Sequence, residues 1–181
     1  MGPAIQTHPE SYPFIAVFPQ VEDLTGRYLE GWLAESPDGI KAIRILDDVI
    51  SRYSVDTNKQ ILTGWSMGGY GAWSLAAQSP ERWSAVLPLS GGGQPDWAEK
   101  LKDTPIWSLH GLDDYVVLPE ESEKLETAFT ELGEPHHAAF SYVKQTGHDV
   151  WRNVYGYTGV VKWMLDPVPD HLLNMTLAAG D

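Results

Sequence analysis

The chain has 181 residues, with 12 Lys and Arg against 25 Asp and Glu, a formal net charge of −13, and no cysteine. The missing cysteines exclude a disulfide scaffold, a thiolate metal site and a cysteine nucleophile. The negative charge argues against nucleic acid or an anionic membrane surface as partner, because both demand a positive face.

With 43% hydrophobic residues, the composition is that of one folded domain, long enough to bury a core and short for two. We expect a single α/β domain over residues 1–181, with its core from about 12 to 166 and an irregular end over 167–181. No apolar run approaches the roughly 18 residues of a membrane span. The first residues, Met1 to His8, lack the basic and apolar regions of a signal peptide. That leaves the compartment open.

Pro13 to Pro19 is continuously apolar and closed by proline, the pattern of a strand buried on both faces. Ser36-Pro37-Asp38-Gly39 follows, an N-cap serine with proline at the first helical position. The helix it opens carries Ile40, Ile43, Leu46, Val49, Ile50 and Tyr53 at helical spacing. Ile61 to Gly64 reads as a strand, Met67 to Gln78 as a helix rich in small residues, and Ala85 to Leu89 as a further strand before the turn Gly91-Gly92-Gly93. Ile106 to Leu109 is the next strand, then a helix from about Glu120 to Leu132, a strand Ala139 to Val143 and a helix near Val154 to Leu165. Strands alternating with helices predict a mostly parallel sheet covered on both faces.

Chemistry enters at Gly64-Trp65-Ser66-Met67-Gly68, a G-x-S-x-G string between a predicted strand and a predicted helix. Glycine and serine are common enough that the string alone is weak; its setting gives it weight. A serine lifted onto a sharp strand-to-helix turn leaves no room for flanking side chains, so Gly64 and Gly68 are expected to relieve crowding and Gly69 and Gly71 to permit close packing. The same turn leaves the Met67 N–H at a helix N-terminus, where an oxyanion would form. The bland alternative is a serine that merely caps the helix.

A serine nucleophile needs a base, and the base an orienting carboxylate. The strand Ile106–Leu109 runs into His110-Gly111-Leu112-Asp113-Asp114, and the strand Ala139–Val143 into Gln145-Thr146-Gly147-His148. Both Asp113 and Asp114 are candidate acids, and His110 is either functional or a satisfied structural residue at a strand end. His136 and His137, in a turn after Pro135, are expected to be solvated and fit no metal-ligand spacing with Asp113. Asp149 reads as a turn or cap carboxylate. Trp65, beside the serine, is a candidate for the substrate pocket; Trp151 is expected to hold the histidine loop, and Trp73, Trp83, Trp107 and Trp163 to sit in the core.

These three strings, in this order, resemble serine esterases of the α/β-hydrolase superfamily, in the branch of predicted peptidases and phospholipase/carboxylesterase-like enzymes akin to polyhydroxybutyrate depolymerases and feruloyl esterases. The likeness runs from about Tyr12 to Leu165. It implies Ser66 as nucleophile, His148 as base and, of the two aspartates, Asp114 as the acid. It also implies hydrolysis of a small-molecule carboxylic ester without metal or organic cofactor. A peptidase on the same residues, or a non-catalytic binding domain, are the alternatives. The family's second oxyanion donor follows an earlier strand ending in His-Gly, and nothing before Pro13 matches it. By resemblance Pro13–Pro19 is the family's following strand, so the N-terminal strands of the sheet are expected to be lacking. Three accounts stay open: a piece of a longer enzyme, a minimal hydrolase drawing its donor from the Gln20–Leu24 loop, or a strand supplied by another segment or partner.

Overall fold

The computed structural model of the chain describes residues 1–22 and 30–167; the predicted irregular end, apart from Pro167, and Asp23 and Leu24 of the Gln20–Leu24 loop lie outside them. Four strands are present among the described residues: β1 (Ile61–Trp65), β2 (Ala85–Leu89), β3 (Ile106–Gly111) and β4 (Ala138–Val143). The helices are α1 (Gly2–Thr7), α2 (Pro37–Arg52), α3 (Met67–Gln78), α4 (Ala98–Leu101), α5 (Glu120–Leu132), α6 (Trp151–Tyr155) and α7 (Thr158–Leu165). None of them is long and apolar enough to cross a membrane.

The strands pair in the order β1-β2-β3-β4, every pair parallel. The register runs Trp65 opposite Leu89, Leu89 opposite Leu109, and Leu109 opposite Ser141. Parallel pairing therefore brings every strand's C-terminal end to one edge of the sheet, where the following loops meet. That placement follows from topology and needs no contact between the loops themselves.

Alternation along the strands divides the core in two. Ala85, Leu87 and Leu89 of β2 pack with Trp107, Leu109, Val154, Val160 and Trp163 under α6 and α7. Val86 points the other way, joining Ile106, Ala72, Trp73, Leu125 and Phe129 under α3 and α5. Every residue of β2 is buried, as a central parallel strand requires. This is the α/β-hydrolase architecture, and the four core tryptophans are where composition placed them: Trp73, Trp83, Trp107 and Trp163 are all buried.

Helix α2 starts as expected, with the Ser36 hydroxyl accepting from the Gly39 N–H at 2.9 Å. Its apolar face is shallower than its periodicity suggests. Ile43 and Leu46 only partly reach the core, Ile40 is exposed, and Tyr53 lies past the helix end in solvent. The predicted closing helix is two helices, broken at Gly156 and Tyr157, where glycine's backbone entropy favours ending a helix.

One predicted strand is absent. Pro13–Pro19 forms no ladder, and Ile15 and Phe18 are 54% and 61% exposed instead of buried on both faces. Among the described residues no strand pairs with it. Phe14 to Pro19 instead line a cavity of about 480 Å³ that Ile61 to Trp65 of β1 also line. A strand is made by its hydrogen-bonded partner, and here two prolines also remove donors. An apolar run has the right composition but, among the described residues, no strand to pair with.

Candidate active site

The nucleophile elbow is built from β1 and α3. Ser66 has φ 57° and ψ −118°, a conformation that a non-glycine residue adopts only when its surroundings enforce it. Its N–H donates to the Leu89 carbonyl at 2.9 Å, while its own carbonyl accepts from Gly69 and Tyr70 at 2.8 and 3.1 Å. The chain is thus clamped on both sides of the serine. Its hydroxyl makes no capping bond to the helix, so the capping alternative does not hold. A Cβ on Gly64 would sit 2.1 Å from the Gly68 carbonyl oxygen, so only glycine lets the strand approach the helix this closely. Gly68 itself is a correction: a Cβ there meets nothing within 4 Å. The crowding is felt at residue 64, against the backbone of residue 68.

The three chemical residues come together. His148 Nε2 lies 2.9 Å from Ser66 Oγ, and His148 Nδ1 lies 2.7 Å from Asp114 Oδ2. Of the two candidate acids, Asp114 is the one that reaches the imidazole. It is 3% exposed, and burial alone would raise its pKa. Hydrogen bonds from His148 and from the N–H groups of Val116 and Val117 outweigh that, and the carboxyl is held below its ordinary value. The same oxygen, Oδ1, takes both backbone donors, leaving Oδ2 for the imidazole.

Asp113 points the other way but is not idle. Its Oδ1 accepts from the N–H groups of Thr146 at 3.2 Å and Gly147 at 3.0 Å. Those residues immediately precede His148, so Asp113 ties the acid loop to the base loop. Sequence reasoning offered it only as a rival to Asp114 for the acid. The partners sit 33 and 34 residues away, and no local spacing announces them.

Trp65 also has a placement more specific than pocket lining. Its Nε1–H donates to the His148 carbonyl at 2.7 Å, and its ring centroid lies 4.8 Å from the imidazole. It borders the cavity beside β1 as well. Trp151 packs on Trp65 at 5.9 Å, holding the histidine loop from the far side. Asp149 turns outward to Arg152 at 2.9 Å. His136 departs from expectation: its side chain is 15% exposed and packs on Phe129 at 5.4 Å, whereas His137 is exposed. Among the described residues, no group of three His, Asp or Glu could hold a metal ion.

At the elbow, Met67 is the first residue of α3. Its N–H therefore has no acceptor one turn back in the helix. Gln20, the described end of the Gln20–Leu24 loop, is exposed, and its amide nitrogen lies 3.5 Å from the Val21 carbonyl.

The chain is similar to several known proteins. The Esterase family matches residues 42–151. A bifunctional acetylxylan esterase/xylanase of Neocallimastix patriciarum is 26% identical over 119 residues, covering 65% of this chain and 17% of that protein. An S-formylglutathione hydrolase of Paracoccus denitrificans is 26% identical over 141 residues, covering 68% of this chain and 50% of its own length. The crystal structure of a thermostable esterase superimposes with a TM-score of 0.69 at 27% identity, over 76% of this chain and 41% of that one. The chain thus spans half or less of the length of each of these three.

Proposed function

The chain belongs to the Esterase family, and from that premise we propose that it is a carboxylic ester hydrolase working through Ser66, His148 and Asp114. One observation carries the reading: an unbroken line from Ser66 Oγ to His148 Nε2 at 2.9 Å, and from His148 Nδ1 to Asp114 Oδ2 at 2.7 Å. In this reading Ser66 Oγ attacks the ester carbonyl carbon as His148 Nε2 takes its proton. Asp114 holds the imidazole with its proton on Nδ1 and stabilises the imidazolium. The Met67 N–H donates to the developing oxyanion, aided by the N-terminus of α3. The tetrahedral intermediate collapses, His148 returns the proton to the departing alkoxide, and an acyl-Ser66 ester remains. Water then attacks that ester by the same route, releasing the carboxylic acid and restoring the serine.

The substrate class is a small-molecule ester, and the chemistry requires no metal or organic cofactor. The observations supporting this reading are the strained serine, its lack of a capping bond and the buried, ionised partner of the base. Hydrolysis of p-nitrophenyl acetate by purified protein tests it. Ser66→Ala is expected to lower kcat by at least about 10³-fold. A rate unaffected by that substitution would mean that the esterase chemistry does not run through Ser66.

A further inference from the structure

His110 is the last-but-one residue of β3, four positions before Asp114 and fully buried. The proposed mechanism does not use it, yet it touches the catalytic carboxylate. Its Nε2 lies 2.9 Å from the Val117 carbonyl and 3.4 Å from Asp114 Oδ2, the oxygen that also receives His148 Nδ1. Its Nδ1 lies 2.7 Å from the Ser122 hydroxyl on α5, and that hydroxyl lies 2.9 Å from the Gly91 carbonyl.

Counting protons decides the arrangement. Both oxygens near Nε2 are acceptors only, so a bare Nε2 would face two lone pairs, and Nε2 must carry a hydrogen. Ser122 has one hydroxyl proton for two acceptors, Nδ1 and the Gly91 carbonyl. If the proton points at Gly91, Nδ1 must also be protonated and the ring is a buried cation. If it points at Nδ1, the ring is neutral. Burial lowers the His110 pKa, outweighing the opposing pull of the Val117 carbonyl and Asp114. In either arrangement Nε2 carries its hydrogen, since both oxygens beside it only accept.

We propose that His110 is a positioning residue for the catalytic acid: its Nε2–H, shared between the Val117 carbonyl and Asp114 Oδ2, fixes the carboxylate oxygen on which His148 turns. This rests on the esterase reading above. Asp114 Oδ1 is already pinned by the N–H groups of Val116 and Val117. His110 constrains the other oxygen, and so the plane of the whole group. It also anchors that plane to a second element, since its far nitrogen is bound to α5. Without it, Oδ2 is held only by His148, the ring it has to orient, and the two can swing together about Oδ1. A displacement of about 1 Å at a reacting group costs on the order of 10²-fold in rate.

The test contrasts two variants of the full chain. His110→Met fills the space without a donor; His110→Gln places an amide N–H near the Nε2 position and a carbonyl that can accept from Ser122. With p-nitrophenyl acetate, His110→Met is expected to lower kcat about ten- to hundredfold with KM unchanged, and His110→Gln to restore it to within a few-fold of wild type. Wild-type kcat in a folded His110→Met protein, or a folded His110→Gln protein as impaired as His110→Met, would overturn the proposal. A second readout needs neither catalysis nor a variant that folds. The imidazole ¹⁵N spectrum of the wild-type chain should show His110 protonated at Nε2, and a bare Nε2 would refute the assignment. Ser66→Ala measured alongside separates the two claims. If it leaves hydrolysis intact, the esterase reading fails, while the His110 tautomer still reports on the contact itself.

Discussion

The two flanks of β1 differ sharply. Towards β2, β3 and β4, each strand is paired in register, and each loop that carries a chemical residue is held by more than one bond. Asp114 accepts from two backbone donors and an imidazole. His148 has its ring bound at both nitrogens and its carbonyl held by Trp65. On the opposite flank, backbone groups alternate: the Gln60 carbonyl and the Ser66 N–H bond towards β2, so those of Ile61, Thr63 and Trp65 face the cavity. The Pro13–Pro19 segment, which lines the same cavity, forms no ladder. In the proposed mechanism proton transfer runs through the paired flank, whose geometry is over-determined, while the described residues of the outer flank line the cavity.

That contrast can be broken in order of expected effect. Asp114→Asn should be the most damaging, because an amide in place of the carboxylate favours the wrong imidazole tautomer. A loss of about 10³- to 10⁴-fold in kcat is expected at little cost in melting temperature. Asp113→Ala removes the tie between the acid and base loops while leaving the three chemical residues intact. We expect about a tenfold loss in kcat, read from steady-state kinetics, because His148 loses a constraint without losing a partner. On the outer flank, Phe18→Ser should change unfolding free energy by no more than about 0.5 kcal/mol in urea titration, since the ring is already 61% exposed. A loss of 2 kcal/mol or more there would show that the outer flank bears structural weight.

Much of this was legible in the residues. The apolar run Ala85–Leu89 reads as a strand, and it is one, buried along its whole length. The serine string, read with its flanking elements, led to the elbow, and the two strand ends downstream led to His148 and to the choice between Asp113 and Asp114. What escaped was whatever depends on a distant neighbour. Pro13–Pro19 has the composition of a buried strand, but composition does not reveal whether a ladder partner is present. Asp113 bonds to backbone donors contributed by another loop, and His110 reads as an ordinary strand-end histidine until its two nitrogens are traced to their partners. Residue type announces chemistry well; it announces support poorly.

The central claim is that Ser66 is an activated nucleophile in this chain. Reaction with a fluorophosphonate, followed by mass spectrometry of the intact protein and its peptides, tests it directly. We expect one equivalent of adduct, located on Ser66, absent from Ser66→Ala and formed far more slowly by Asp114→Asn. A folded sample that takes up no label at Ser66, or labels equally after Asp114→Asn, would contradict the account.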